Sequence, residues 1–173
     1  GRDVGQSYSA KRKSAIHSWH HENGAIFVDA GQWLRPQYYL KDGEADTTQN
    51  MDIAITREVQ GTRGNVGMVD VSTLGKIDIQ GADSGEFLNR IYTNGWTKLA
   101  IGKARYGLML REDGIVFDDG TTSRLSEHHY FMTTTTSNAA SVLSHMEYCL
   151  KVHWPDLDVK ISSVTEQWAA MAI

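Results

Sequence analysis

Two consecutive carboxylates stand inside a strand-like run, Ile115-Val116-Phe117-Asp118-Asp119-Gly120-Thr121-Thr122. Aspartate is disfavoured in strands, and alternation puts one acid of such a pair on each face of a sheet. A carboxylate on a packed face must be hydrogen-bonded or paired, or its pKa rises. Held in a pocket, it can steady a developing positive charge or move a proton. The residues leave two readings open. In one, a bulge or turn at Asp119-Gly120 carries both acids to solvent. In the other, one acid lines a pocket. Parity groups Val116, Asp118, Gly120 and Thr122 against Ile115, Phe117, Asp119 and Thr121. The second set is the more apolar and is expected under helices, leaving Asp118 among small neighbours on the open side, where a ligand fits.

Other reactive types are sparse. His20-His21 and His128-His129 suggest metal, but His17–Glu22 and His129–Thr134 read as extended. Neighbours on a strand face opposite ways, so neither pair chelates with both rings, and no metal site is expected. Cys149 falls on a helical stretch as a small buried hydrophobe. There is no G-x-x-x-x-G-K-[ST], no strand followed by G-x-G-x-x-G and no G-x-S-x-G elbow.

The elements that must position the acids follow from periodicity and turn residues. Asn23-Gly24 separates His17–Glu22 from a second run, Ala25–Val28, and Pro36 keeps Arg35 extended. A helix is expected from Asp52 to Arg63, with Ile55, Val59 and Thr62 on its apolar stripe and Arg57 and Glu58 off it. Gly67–Val71 and Lys76–Ile79 read as strands. Asp83 and Glu86 suit a capping box before a short helix whose inner face is Phe87, Leu88 and Ile91. Lys103–Leu110, Ile115–Leu125 and His129–Thr134 follow at hairpin spacing, with Asp113-Gly114 as the first turn. Ser137 is expected to cap a helix carrying Ala139, Val142, Leu143, Met146 and Leu150, closed by Pro155. Val159–Ser162 and Gln167–Ile173 read as strands. The fold class is α+β, a mostly antiparallel sheet with helices packed on one face.

Composition sets the outer bounds. The 173 residues are 40% apolar and 22% charged, with net charge −4 and pI near 6.0. That balance excludes a disordered chain and argues against nucleic acid as a partner. No stretch reaches the ~20 apolar residues of a membrane span, and no apolar h-region opens the chain. The expected compartment is cytoplasmic. One cysteine excludes an internal disulfide. Residues 1–14 read as a linker or arm around the basic triplet Lys11-Arg12-Lys13. Residues 15–66 read as the start of an incomplete β-rich domain, and 67–173 as the α+β domain. The apolar run Ala169–Ile173 ends without turn or cap, so the chain is expected to be truncated, with self-association through the open edge.

Several ordered strings carry a family resemblance: Val66–Ser72, Gly75–Gly81, Phe87–Ile91, Lys103–Leu110, Asp113–Asp119 and the threonines Thr133–Thr136. Together they resemble the first half of the folate domain of the aminomethyltransferases (glycine-cleavage T-proteins). The strings Gly31–Tyr39, Thr73–Gly81, Arg90–Asn94 and Ser163–Trp168 are similar to the folate-binding variant found in alpha subunits of heterotetrameric sarcosine oxidases. The resemblance implies binding of tetrahydrofolate and acceptance of a one-carbon unit from oxidised sarcosine to give 5,10-methylenetetrahydrofolate. It implies Asp118 as the catalytic acid, Tyr106 on the pterin side, and Thr134 where T-proteins carry a pterin-binding asparagine. Flavin and NAD are expected only in the rest of such a complex, whose other subunits would be partners. The folate site would be incomplete within these residues and the isolated chain inactive. The alternatives are a non-catalytic assembly module or a glycine-cleavage aminomethyltransferase.

Overall fold

A computed structural model describes residues 11–173. The residues fall into two compact units, one running to Thr73 and including Ala169–Ile173, the other Leu74–Trp168. Most of the expected arm therefore lies outside the described residues. Its described end, Arg12–Lys13, is a short strand (β1) rather than a solvated tail.

In the first unit β1 is followed by a helix, His17–Glu22 (α1), and two strands, Ala25–Ala30 (β2) and Trp33–Tyr39 (β3). β3 is central, antiparallel to β2 and parallel to β1. The Arg12 guanidinium lies 4.4 Å over the Trp33 ring, which is what seats β1. The expected strand at His17–Glu22 is the helix α1. The stretch His-Ser-Trp-His-His-Glu has no period-2 alternation, and Asn23 closes it by donating its side-chain amide to the Trp19 carbonyl at 2.8 Å. Gly24 then turns the chain with φ 79°, as the Asn23-Gly24 pair predicts.

The next helix, Thr48–Gly64 (α2), starts earlier than expected because Thr47 caps it, accepting from the Asn50 N–H at 3.2 Å. Its faces are reversed from the expected stripe. Ala54 is buried while Ile55 and Val59 are exposed. Arg57 donates to the Tyr39 carbonyl at 2.8 Å and pairs with Glu44 at 3.0 Å, and Glu58 accepts the Tyr39 N–H at 2.8 Å. The backbone groups at the end of β3 need partners, and the charged side chains supply them. Val69–Asp70 (β4) pairs antiparallel with Met171–Ala172, a shorter pair than the strands read at Gly67–Val71 and Gln167–Ile173.

The second unit is the expected layer. Gly75–Gln80 (β5), a helix Ser84–Ile91 (α3), Ala104–Leu110 (β6), Val116–Ser126 (β7) and His129–Thr134 (β8) precede a 3-10 turn, Thr136–Asn138. Then come Ala139–Tyr148 (α4), a wide π turn at Cys149–His153, and Lys160–Ser163 (β9). The sheet order is β6-β7-β8-β5-β9, antiparallel throughout. Ile77, Ile79, Tyr130 and Met132 point to one face and pack with Phe87, Leu88, Val142, Met146 and Cys149. Each such side chain contributes roughly 1.5–3 kcal/mol when fully buried.

Two expected caps are not formed. Asp83 makes no side-chain cap and instead accepts the Asp158 N–H at 2.9 Å, while Glu86 pairs with Arg90 at 2.9 Å. Ser137 lies within the 3-10 turn, and Asn138 is the residue before α4. Among the described residues no helix is long and apolar enough to cross a membrane.

Candidate active site

The acid pair sits on β7 opposite β6, with Met109 paired to Asp118 and Leu108 to Asp119. The ladder then skips one residue, for Leu110 pairs with Val116 and Phe117 has no partner. That bulge decides which way each acid points. Met109, Thr122 and Met132 are fully buried, and Thr122 pairs with Met132 on β8. Asp118, opposite Met109 and four residues from Thr122, therefore faces the helix-covered side with only 4% of its surface exposed. Phe117, the extra residue, also turns to the helices and meets the His145 ring of α4 at 5.2 Å. The two acids take the faces opposite to those expected, and Phe117, which parity grouped with Asp119, joins Asp118 on the helix side. The bulge spends Phe117 on the helix side without carrying Asp119 there.

Asp118 is held by two donors. Its Oδ2 accepts the Thr135 backbone N–H at 3.2 Å, and its Oδ1 accepts the Asn138 side-chain amide at 3.3 Å. Burial pushes its pKa up, those bonds draw it back, and the Asp119 charge adds to the rise. The buried Tyr92 hydroxyl, pushed up by burial and then by the Asp118 charge, stays protonated.

Asp119 faces the open side. The Tyr106 hydroxyl donates to its Oδ2, and the Thr135 hydroxyl donates to its Oδ1 at 3.4 Å. Tyr106 is 58% exposed, and the bond to Asp119 raises its pKa. A flat exposed ring, an anchored carboxylate and a hydroxyl thus share one surface. Of the three expected site residues, Tyr106 belongs to this surface. Thr134 does not: it is buried, and its hydroxyl donates to the Thr135 carbonyl at 3.2 Å. Thr135 was not singled out by the sequence, since four consecutive threonines give no clue to which one reaches the acid.

Gly120 makes the close pass possible. A Cβ there would lie 2.0 Å from the Thr133 carbonyl oxygen. Gly75 is similarly tight, a Cβ meeting the Thr134 hydroxyl at 2.0 Å and the Ala139 Cβ at 2.5 Å. On the helix side a cleft of about 420 Å³ opens between the β6–β7 turn and α4, with Phe117, His145 and Tyr148 on its walls.

The histidine pairs lie elsewhere. His20 is buried on α1, so the strand argument does not describe it, while His21 is exposed. His129 bonds Asp78 at 2.5 Å. Among the described residues no group of three His, Cys, Asp or Glu side chains could hold a metal. Cys149 is buried, and burial pushes its thiol pKa up, as befits a packing residue.

The chain is similar to several known proteins. Over all 173 residues the chain is 51% identical to the sarcosine oxidase subunit alpha of Rhizobium meliloti and 52% to that of a Corynebacterium species, spanning 17% of the length of each. It is 30% identical over 161 residues to an aminomethyltransferase of Thermotoga neapolitana, covering 93% of this chain and 40% of that protein. The fold matches a crystal structure of glycine cleavage system aminomethyltransferase T from Bartonella henselae with TM-score 0.75 and 21% identity, over 89% of this chain and 38% of that one. The GCVT N-terminal domain description matches residues 16–173, and the chain belongs to that family.

Proposed function

We propose that this chain forms one wall of a tetrahydrofolate site in a sarcosine oxidase-type alpha subunit, and that Asp119 is the acid that meets the ligand. The carrying observation is the cluster of Tyr106, Asp119 and Thr135 on the open face of β6 and β7. The residues present fit part of a folate cradle. An exposed ring beside a fixed carboxylate suits a flat, nitrogen-rich ring system. Thr134 does not fit the role the resemblance gives it, because its hydroxyl is buried and committed to the backbone.

When bound, tetrahydrofolate supplies the nitrogens that accept the one-carbon unit. The chain's own part is electrostatic. Tyr106 and Thr135 each donate to one Asp119 oxygen and so fix the carboxylate before any ligand arrives. A fixed anion steadies positive charge that develops on an attacking amine, or takes its proton. The raised pKa of Tyr106 keeps it a donor through neutral pH. Flavin and NAD chemistry, the partner subunits and a cytoplasmic setting belong to the same proposal and concern the larger protein.

The test compares Asp119→Asn with Asp118→Asn in the full-length polypeptide, reading tetrahydrofolate binding and one-carbon transfer separately. Asp119→Asn is expected to lower transfer by about 10²–10⁴-fold, the usual range for a positioned acid or base, with binding changed far less. If Asp118→Asn alone abolishes transfer, the buried acid is the catalytic one. If the unaltered protein assembles with its partners yet binds no folate, an assembly role replaces this reading.

A further inference from the structure

Asp118, the first acid of the pair, faces away from the Tyr106–Asp119 surface, yet it is held by two donors. We propose that Asp118 is a positioning residue, fixed by Asn138, that holds Thr135 so that the Thr135 hydroxyl reaches Asp119. The proposal rests on Asp119 as the ligand-facing acid.

Thr135 carries one hydrogen bond to each aspartate. Its backbone N–H goes to Asp118 at 3.2 Å on the buried side, and its hydroxyl goes to Asp119 at 3.4 Å on the open side. The two acids are consecutive on β7, so their relative position is fixed by the strand. Only the placement of Thr135 is adjustable, and Asp118 is what fixes it. Asn138 completes the clamp. Although it is the residue before α4, its side chain caps nothing there. It reaches back to β7 instead, donating to the Phe117 carbonyl at 2.8 Å and to Asp118 at 3.3 Å. One amide thus ties the start of α4 to the bulge at Phe117 that turns Asp118 inward.

The surroundings make Asp118 depend on these donors. It faces the Tyr92 hydroxyl from the end of α3, the uncharged Met109 of β6, and Thr135 and Asn138 from the segment leading into α4, with Asp119 adjacent on its own strand. A buried carboxylate beside a second acid stays ionised, and keeps accepting, only through such bonds. A side chain that merely plugged the core would not need them.

The experiment uses Asn138→Ala and the isosteric Asn138→Asp in the 173-residue chain, with fold checked by amide spectra. Two residue-level readouts need no folate: hydrogen exchange of the Thr135 amide and the Thr135 χ1 rotamer from NMR scalar couplings. Removing the Asn138 donor is expected to speed Thr135 exchange roughly tenfold, the factor for one lost hydrogen bond, and to average the Thr135 χ1 rotamer as its hydroxyl contact with Asp119 loosens. In the full-length protein kcat for one-carbon transfer is expected to fall several-fold with KM little changed. Unaltered Thr135 exchange and an unaltered Thr135 rotamer in the folded variants would overturn the proposal. Should Asn138→Ala not fold, Asn138→Asp and Asp118→Asn decide on the same readouts. If both readouts move but the unaltered full-length protein binds no folate, the clamp stands and the folate reading falls.

Discussion

Asp70 contrasts with Asp118, since both are buried carboxylates and their pKa values move in opposite directions. Burial pushes Asp70 up, but bonds from Ser14, Ser72 and His20 outweigh it and bring the pKa down to about 2. His20 holds it at 2.9 Å through Nε2, while the other ring nitrogen meets the Tyr39 hydroxyl at 2.7 Å. A carboxyl whose pKa is lowered in the fold stabilises it above the unfolded value near 3.8 and loses that stabilisation as pH falls towards 2. The loss is about 2 kcal/mol. Urea unfolding followed from pH 5 to pH 2 is expected to show it, and Asp70→Asn to flatten the slope. Asp118 works the other way. Its raised pKa makes the ionised form a net cost at pH above the ordinary carboxyl value, a cost that relaxes as the group protonates, so Asp118→Asn is expected to leave stability unchanged or slightly higher at pH 7.

At the scale of elements, glycines separate positions that are tight from those that are only weak. Gly61 lies inside α2 with nothing near a would-be Cβ. Gly61→Ala is expected to stabilise by about 0.5–1 kcal/mol, because alanine loses less backbone entropy in a helix. Gly120 is the opposite case, its Cβ falling on backbone that cannot swing away. Gly120→Ala is expected to cost about 1–3 kcal/mol and to prise β7 from β8 beside Asp119. Thermal melts of the two variants check the signs. The same scale shows why helix faces and caps depart from the sequence pattern. Amphipathic patterning assumes that apolar residues win the inner face. In α2 the unpaired backbone of β3 took Arg57 and Glu58, and in α3 the cap residue Asp83 was drawn to Asp158. Unmet backbone groups are too costly to bury, and they outbid a modest apolar stripe.

Across the whole molecule, protection should follow the distribution of the core. Ile77, Ile79, Met132 and Phe87 are almost wholly buried around β5 and β8, whereas the pairing of β4 with Met171–Ala172 involves two residues on each side. Native-state hydrogen exchange is therefore expected to be slowest at the centres of β5 and β8 and fast at Val69 and Met171. Equal rates would mean that the two units do not differ in local stability.

The amino-acid sequence determined the order of elements in the second unit, the antiparallel layer with helices on one face, the turn at Asp113-Gly114 and the acid pair worth attention. These are local or periodic properties: alternation, helical spacing and turn residues act over a few positions. The tertiary structure decided which acid faces out, which of four threonines touches it, and where Asn138 reaches. Those depend on one unpaired residue, Phe117, in the ladder between β6 and β7. A bulge is a compromise between strands far apart in the chain, and a period-2 pattern cannot register it until the partner strand is in place.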